Sequence, residues 1–302
     1  MKKVQCAPVI IPTLNRYEHF KRCVGSLAAC TRSNETELIV GLDYPPTEKY
    51  QEGYMKIIDY LDSVKSFLKI TIIKHQHNLG AIGNIEYLIK YVTDRYDAYI
   101  FSEDDNEFSP NFLEYMNNGL EKYKHDMRVY SICGYNYPVN MEEYTKNIFA
   151  FHGCSAWGIG RWTHKFPNIT LSDIQKMAYN PINILKVLIK APDIFITLIM
   201  MLKRKEFFGD TSHVFYSVIN NKVSIFPTIS KVRNWGHDGS GIHGEIHGKD
   251  IYIDQIIDTD KHIILDDIDI KDMKLHNVQA FLNPSMRWFI GRIKLKLQKW
   301  GK

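Results

Sequence analysis

The densest group of ionisable side chains lies in residues 102–107, Ser-Glu-Asp-Asp-Asn-Glu, where four acids occupy five positions. Carboxylates this close together repel one another, so they need a cation or solvent to compensate them. Mg²⁺ and Mn²⁺ bind one or two protein carboxylates and keep other positions for substrate phosphates. An acidic turn that stabilises the dipole of a following helix would explain the same residues. The place of the group, directly after a predicted strand, favours a metal site.

A second polar group follows the first apolar run of the chain and consists of Pro12, Thr13, Asn15 and Arg16. A strand that stops in such a turn presents side-chain donors beside a helix N-terminus, which suits a nucleotide or a phosphate. Helix capping by Thr13 or Asn15 is the alternative. The glycines of residues 77–84 either let the backbone approach a ligand or let a helix pack tightly on a sheet.

Three later groups carry further candidates. Residues 152–162 interleave aromatic and small residues. They could form a wall on which sugars or bases stack, with Arg161 as an anion partner, or an aromatic corner of the core. Asp210 could act as a general base or cap the following helix. His237 and His243 could bind a metal or a phosphate, although loop histidines are commonly only solvated.

Alternating strand and helix patterns position these groups. Apolar β-branched runs predict strands over residues 7–12, 37–43, 69–74, 98–102 and 128–133. Apolar spacing predicts helices over 16–30, 48–67 and 81–93, and a fourth up to residue 123 that starts from an N-cap at Ser109 with Pro110 at the first helical position.

Repeated strand and helix units of this length predict an α/β fold with a mostly parallel sheet flanked by helices on both faces. Ligands of such sheets bind outside the carboxyl ends of the strands, and the polar groups follow strands. From residue 136 the pattern becomes irregular, with short strands over 148–151 and 223–227 and an apolar segment over 182–202. We therefore expect an irregular α+β extension after the regular half.

Composition places the chain among globular proteins. It has 302 residues, 45% of them hydrophobic and 24% charged, which excludes disordered, collagenous and multi-span membrane classes. The net charge of +4 is too small to indicate nucleic acid as a partner. Five scattered cysteines without a Cys-x-x-Cys pair indicate neither a disulfide framework nor a zinc site. No apolar run is long enough for a signal peptide or a membrane span, so the sequence predicts a cytoplasmic protein.

Taken in chain order, these motifs resemble a known fold family. Residues 9–16, Asp43, the loop with Asn78 and Gly80, and Glu103-Asp104-Asp105 resemble the nucleotide-sugar half of a GT-A-fold glycosyltransferase, over roughly residues 7–245. Within that fold the chain is similar to bacterial family 2 glycosyltransferases of surface-polysaccharide gene clusters. Its Glu-Asp-Asp motif also resembles that of the N-acetylglucosaminyltransferase that starts hybrid and complex N-glycans.

The resemblance implies a nucleotide-sugar donor, with UDP favoured, and assigns residues to it. A nucleotide pocket would be lined by Pro12, Thr13, Asn15 and Arg16. Asp43 would accept a hydrogen bond from the base or ribose, and Asp104 would approach the ribose. Asn78 and Gly80 would lie near the nucleotide.

The resemblance also implies roles around the reacting bond. Asp105 would bind the Mn²⁺ or Mg²⁺ that bridges the diphosphate, and His243 would meet the metal or the diphosphate. Residues 155–158, with Trp157, would form the floor of the donor-sugar and acceptor site. Asp210 would be the base, with Asp238 as the competing candidate, and direct displacement would invert the anomeric centre. Glu103 stands where the usual motif has Asp, which leaves its part in coordination open.

The net positive charge of the chain comes from its last sixteen residues. Residues 287–302 hold six basic residues and no acid, which leaves 32 basic against 34 acidic residues in the rest. On a helix one face would be shared by Phe289, Ile290, Ile293, Leu297 and Trp300. Such a helix would lie at an anionic membrane surface, or dock on the core. A glycan or lipid-linked glycan acceptor would then be met at the inner face of the cell membrane, where residues 182–202 could add a second contact.

The sequence therefore predicts a nucleotide-sugar-binding half over 1–134, an acceptor and catalytic half of the same domain over 135–286, and a basic C-terminal helix over 287–302. Two rival functions are a sugar nucleotidyltransferase and a carbohydrate-binding or scaffold protein without turnover. The first would be expected to carry a glycine- and lysine-rich phosphate loop after its first strand, and residues 12–16 contain none.

Overall fold

The computed structural model describes residues 6–239 and 255–270. The strands in these ranges are β1 (Val9–Thr13), β2 (Glu37–Leu42), β3 (Lys69–Lys74), β4 (Ala98–Phe101), β5 (Asn106–Phe108), β6 (Val129–Cys133), β7 (Ile148–Phe151), β8 (Ile159–Trp162), β9 (Val223–Pro227) and β10 (Val232–Asn234). The helices are α1 (Tyr17–Ala28), α2 (Gln51–Ser63), α3 (Gly80–Thr93), α4 (Phe112–Lys122), α5 (Leu171–Ala178), α6 (Pro181–Lys190), α7 (Phe195–Arg204) and α8 (Gly209–Ile219).

Eight strands form one sheet in the order β3-β2-β1-β4-β8-β6-β9-β7. The predicted α/β fold with a mostly parallel sheet is confirmed: β1, β2, β3 and β4 run parallel, as do β6 and β9. The three remaining neighbour pairs are antiparallel, and two of them involve β8. Since β7 and β9 come from the later half of the chain, both predicted halves contribute strands to the same sheet.

Strand β8, which lies inside the aromatic stretch 152–162, was not predicted from the sequence. This strand is inserted antiparallel between β4 and β6, with Ile100 opposite Gly160 and Ile132 opposite the same residue. Glycine and arginine hid the strand, because they break the apolar pattern expected of a buried strand. Part of the predicted aromatic wall is therefore sheet core.

The predicted start of the fourth helix was also wrong. The helix α4 begins at Phe112 with Asn111 as its N-cap, and Ser109 lies before it. The backbone N–H of Ser109 donates to the carbonyl of Lys231 (2.9 Å), which continues the two-stranded sheet of β5 and β10 by one residue. Pairing with β10, more than 120 residues away, thus outweighs the local helix-start signal of Ser-Pro.

Alternate residues of the central strand β1 face two apolar cores. Val9 and Ile11 pack beneath α1, α2 and α4, whereas Ile10 packs beneath α3 and α5 to α8. All three are fully buried, and burying a side chain of this size stabilises a fold by about 1.5–3 kcal/mol. The result is a three-layer structure in which the carboxyl ends of β1, β2 and β4 share one edge of the sheet.

Within the described residues, no helix is both long and apolar enough to cross a bilayer. The five cysteines are free and buried.

Candidate active site

The turn after β1 meets the acidic residues that follow β4. Thr13 Oγ1 donates a hydrogen bond to Oδ2 of Asp104 (2.8 Å). The guanidinium of Arg16 ion-pairs with Asp104, and its Nη2 lies 2.9 Å from Oδ2 of Asp105. Burial opposes the charge of Arg16, but the two carboxylates outweigh it and raise its pKa. Nη1 of Arg16 is buried and has no hydrogen-bond partner among the described residues, so this arginine can receive a further anion.

Asp104 is the more enclosed of the two acids. It is 5% exposed, and burial raises its pKa against the opposing charge of Arg16. Thr13 engages one of its oxygens and Arg16 the other. The predicted contact between Asp104 and a ribose would therefore use the remaining lone pair of each oxygen.

Asp105 is held by residues from the far end of the described chain. Its Oδ1 accepts a hydrogen bond from Nδ2 of Asn234 (2.8 Å), and its backbone carbonyl accepts from the N–H of Trp235 (2.9 Å). A Cβ on Gly236 would lie 2.3 Å from Oδ2 of Asp105, so only glycine fits beside this carboxylate. The pairing of β5 with β10 places Asn234 opposite Asn106, the residue that follows Asp105. This pairing brings the side-chain amide of Asn234 to the carboxylate of Asp105.

Glu103 lies half-buried at the start of the acidic motif. Burial raises its pKa to about 8, and the nearby charges of Asp105, Asp210 and Asp104 act in the same direction. Glu103 is thus mostly protonated at neutral pH, because burial and the neighbouring carboxylates both disfavour its charged form. Its place in this cluster also shows that Asp210 lies within electrostatic range of the acidic motif.

Asp43 joins the end of β2 to the start of α3. Its Oδ1 accepts from the backbone N–H groups of Tyr44 (2.9 Å) and Leu79 (2.8 Å), and its Oδ2 accepts from Nδ2 of Asn78 (3.1 Å). Asn78 also donates to the carbonyl of Tyr44 (2.7 Å). Sequence reasoning placed Asp43 and Asn78 near a nucleotide; the structure brings them into direct contact and leaves one lone pair of Oδ2 for a ligand. Gly80 begins α3 with φ at 72°, a left-handed conformation that favours glycine.

The other two predicted nucleotide-pocket residues lie on the β1 turn. Pro12 is inside β1, opposite Gly41 of β2. The backbone carbonyl of Asn15 packs against α2, because a Cβ on Gly53 would lie 2.0 Å from that oxygen. Close contact with Gly53 therefore sets the path of the turn that carries Arg16.

An aromatic group flanks the acidic motif. Trp157 is half-buried and meets the ring of Tyr135 edge-on, with 4.8 Å between centroids. The ring of His237 packs on the same indole at 5.7 Å. The backbone N–H of Trp157 donates to Ser155 Oγ (3.2 Å), which shapes the turn. Such a group offers a flat apolar wall of the kind that sugar rings stack on.

Asp210 is the second residue of α8, in the helical turn where an acid is favourable to the dipole. The residue as a whole is solvent-exposed, whereas its carboxyl group lies against protein atoms. This burial raises the pKa of Asp210 to about 6, while Arg161 and the backbone N–H of Ala156 oppose the shift. A carboxylate with such a pKa is poised to take a proton near neutral pH.

Arg161 is not the exposed anion partner that the sequence suggested. It lies in β8, 6% exposed, with its guanidinium carbon 4.2 Å from the ring centroid of Phe166 and 5.2 Å from that of Phe101. Its charge acts on Asp210 from inside the protein.

Three predictions concern loop and terminal residues. His243 and the basic helix 287–302 lie outside the described residues. Asp238, the competing base, is described, and its Oδ2 lies 2.9 Å from Nε2 of His19 on α1. The structure thus places Asp238 against α1, and Asp210 beside Glu103 and Ala156.

Asn234 and Gly236 are the site residues that sequence reasoning missed. Both act by holding Asp105, from a position 129 and 131 residues later in the chain. The available signal is the Asn-Trp-Gly triplet, which begins with the last residue of the short strand β10 and so lies at a strand end like the other candidate groups.

The side chains of this site can be compared with the ligands that a divalent cation needs. In the described part of the chain, no three His, Cys, Asp or Glu side chains are grouped as a complete metal site. Mg²⁺ and Mn²⁺ bound to a substrate diphosphate need only one or two protein carboxylates. Asp105 supplies a hard oxygen ligand, and Glu103 lies within electrostatic range of Asp104, Asp105 and Asp210, so the residues fit.

The chain matches a known protein family. A family model described as Glycosyl transferase family 2 matches residues 9–203, which is more than half of the chain and runs from β1 to the last turn of α7. No curated protein sequence matches the chain.

Several solved structures are also similar to the chain. The mannosyltransferase PcManGT from Pyrobaculum calidifontis, in complex with GDP-Man and Mn²⁺, is 11% identical with a TM-score of 0.39, and the match covers 53% of this chain and 45% of that one. Residues 1–349 of TarS from S. aureus are 14% identical, with a TM-score of 0.39 and coverages of 57% and 49%. GalNAc-T7 with UDP, GalNAc and Mn²⁺ is 11% identical, with a TM-score of 0.44 and coverages of 78% and 44%. The chain spans less than half the length of each of these proteins.

Proposed function

The chain belongs to glycosyl transferase family 2 and is a glycosyltransferase, and we propose that it transfers a sugar from a nucleotide-sugar, a UDP-sugar by preference, to a hydroxyl group of a glycan or lipid-linked glycan acceptor. The observation that carries the proposal is the group formed by Arg16, Asp104 and Asp105 where β1 and β4 end. It places an arginine with a buried unpaired N–H beside two carboxylates, as a diphosphate with its cation requires.

Asp105 would hold the divalent cation, Mn²⁺ or Mg²⁺. When bound, such a cation neutralises the charge that develops on a leaving diphosphate. Arg16 orients Asp105 through one carboxylate oxygen and Asn234 through the other. Thr13, Asp104 and the Asp43–Asn78 pair would contact the nucleoside, since they lie at the same edge of the sheet.

Asp210 would take the proton of the acceptor hydroxyl. The acceptor oxygen forms a bond to the anomeric carbon while the bond from that carbon to the phosphate oxygen breaks and its electron pair leaves with the diphosphate. A single displacement of this kind inverts the anomeric centre. The pKa of about 6 keeps Asp210 ionised at neutral pH yet basic enough to accept the proton. The partly exposed indole of Trp157, backed by the buried ring of Tyr135, would form the face against which the sugar stacks.

We further place the reaction in bacterial surface-polysaccharide synthesis, at the inner face of the cell membrane. The support is the order of the motifs and the six basic residues in 287–302. Deleting residues 287–302 should release the protein from anionic vesicles; unchanged sedimentation would remove the tail from this proposal.

Nucleotide release from a panel of UDP-, GDP- and dTDP-sugars, measured with and without Mn²⁺, tests the activity. We expect metal-dependent hydrolysis of at least one donor, and its loss in Asp105→Ala. Asp59→Ala removes a carboxylate from an exposed position of α2 and serves as the matched control. A wild-type rate in Asp105→Ala with Mn²⁺ present would contradict the proposal.

Isothermal titration with UDP addresses the rival functions. Binding that depends on Mn²⁺ supports the transferase, whereas sugar binding that needs neither UDP nor metal would favour a carbohydrate-binding protein.

A further inference from the structure

The outward side of α6 is apolar throughout. Of its large side chains, Ile182, Leu185, Leu188 and Ile189 are 63%, 55%, 37% and 70% exposed. At 3.6 residues per turn these four lie on one side of the helix, opposite the buried Val187. A surface helix of a globular protein usually shows solvent a polar side, so this side is expected to meet something other than water.

The two lysines of α6 do not interrupt this apolar side. Lys186 donates to the carbonyl of Ile219 (2.7 Å), and Lys190 donates to Oδ1 of Asn221 (2.8 Å). Both side chains therefore point toward the end of α8, on which α6 packs.

Helix α7 continues the pattern and adds charge at its end. Leu198 and Met201 are buried, whereas Ile199 is 46% and Met200 37% exposed. Lys203 and Arg204 lie in its last turn and Lys205 follows directly, and all three are exposed. Between residues 181 and 205 the chain has five basic residues and one acid, the half-buried Asp193.

We propose that this α6–α7 surface, the exposed apolar side chains of the two helices with Lys203, Arg204 and Lys205, docks on an anionic membrane. Apolar side chains would enter the boundary between headgroups and acyl chains, and the basic residues would meet lipid phosphates. Amphipathic helices that lie in the membrane interface combine these two features.

Charge argues against the other possible occupants. The tail 287–302 carries six basic residues and no acid, so it would bring like charge to a basic surface. A second copy of the chain would bring the same Lys203, Arg204 and Lys205. Anionic lipid is complementary in both charge and polarity.

The surface also adjoins the helix that carries Asp210. Only four residues separate Arg204 at the end of α7 from Gly209 at the start of α8, the helix that carries Asp210. Docking would therefore bring the base close to the membrane. The proposal itself does not rest on glycosyl transfer, because membrane binding is measured without a donor.

Sedimentation of the full-length protein with vesicles tests the apolar contact. The vesicles contain phosphatidylcholine alone or with an equal amount of phosphatidylglycerol. We expect binding to the anionic vesicles, and a fall of at least about 10-fold in the partition coefficient for the combined variant Ile182→Gln, Leu185→Gln, Ile189→Gln. The control variant Met55→Gln, Met127→Gln, Ile264→Gln removes exposed apolar side chains elsewhere and should bind like wild type. Absent wild-type binding, or equal binding of the two variants, overturns the proposal.

A second pair of variants, equal to each other in net charge, tests the contact between the basic residues and lipid phosphates. Replacing Lys203, Arg204 and Lys205 with Gln should weaken binding to anionic vesicles by at least about 10-fold. Replacing Lys49, Lys65 and Lys90, three exposed lysines elsewhere, removes the same charge and should have a much smaller effect. Equal losses would mean that only the overall charge matters, and would contradict a localised docking surface.

A spin label at Leu185→Cys reports what covers the surface, because the five native cysteines are buried. We expect a label that water reaches in the free protein and that becomes accessible to oxygen on anionic vesicles. Protection without vesicles at every protein concentration means that the tail covers the surface. Protection that disappears on dilution means a second copy. Either result overturns membrane docking.

Discussion

The proposed donor and acceptor sides of the site are built in different ways. On the donor side, where β1, β2 and β4 end, Asp43, Asp104 and Asp105 are 4%, 5% and 7% exposed. Each of these carboxylates accepts hydrogen bonds or ion pairs from two or more groups. Their positions are therefore fixed before any ligand binds, which lowers the cost of ordering the site.

The acceptor side consists of fewer and more exposed groups. Trp157 is half-buried, and Asp210 is exposed at the first turn of α8 with one backbone N–H facing it. Beyond them lie the exposed apolar side chains of α6 and α7. We infer that the donor side sets specificity through a rigid network, and that the acceptor side supplies a base and a surface while leaving room for a large acceptor.

The largest expected effect comes from replacing Asp210, the proposed base. In Asp210→Asn the rate of sugar transfer should fall by about 10²–10⁴-fold, because the acceptor proton loses its carboxylate. The affinity for UDP with Mn²⁺ should stay unchanged, since the donor side is intact. Because burial raises the pKa of Asp210, its ionised form destabilises the fold above that pKa, so removing the charge should not lower the melting temperature.

Initial rates and UDP titration on the same preparation check this prediction. Asp238→Asn is the matched variant, since Asp238 pairs with His19 on α1. A large loss in Asp238→Asn together with a near-normal rate in Asp210→Asn would exchange their roles.

The next effect tests the rigidity of the donor side. A methyl group at Gly236 would lie 2.3 Å from Oδ2 of Asp105, so Gly236→Ala must displace either the carboxylate or the backbone beside it. We expect the affinity for Mn²⁺ in the presence of UDP to fall by about 10–100-fold, as is typical when the support of a metal ligand is disturbed.

Gly209→Ala is the control, because a Cβ there meets nothing within 4 Å. Manganese titration of the two variants measures the difference. Equal affinities would mean that Asp105 does not hold the cation in this geometry.

The two sides also differ in how far the sequence predicts them. Thr13, Arg16 and Asp43 each follow a strand whose apolar run is visible in the sequence, and parallel strands bring such positions together at one edge. Their convergence therefore follows from the local pattern. The bond between Asn234 and Asp105 does not, because it depends on pairing between two three-residue strands, β5 and β10. Strands this short carry no readable periodicity.

The inserted strand β8 was hidden for a related reason. Its sequence Ile-Gly-Arg-Trp is not a continuous apolar run, and its arginine is buried between aromatic rings instead of facing solvent. Burial of a charged side chain is decided by the tertiary neighbours that stack on it, here Phe101 and Phe166, which no local pattern specifies.

The pH dependence of transfer should follow the acceptor side. As the proposed base, Asp210 would have to be ionised for transfer, and burial raises its pKa to about 6. The rate at saturating donor should therefore fall by about 10-fold per unit of pH below that value, at a higher pH than an ordinary carboxylate would give. Rates measured from mildly acidic to neutral pH check this. The residual rate of Asp210→Asn should lack the inflection, and an unchanged inflection would assign it to another group.

The smallest expected effect is that of Asn78→Ala, which should lower both the stability of the fold and the affinity for UDP. Asn78→Ala removes the donor to Oδ2 of Asp43 and to the carbonyl of Tyr44, which should lower the free energy of unfolding by about 1 kcal/mol. Gln76→Ala, an exposed residue two positions earlier, should change it by much less. Because Asp43 both ties β2 to α3 and faces the nucleotide edge, Asn78→Ala should weaken UDP binding in parallel. Urea unfolding and UDP titration measure the two quantities. Loss of stability with normal UDP affinity would mean that this network only supports the fold, and would leave Arg16 and the acidic motif as the whole of the rigid donor side.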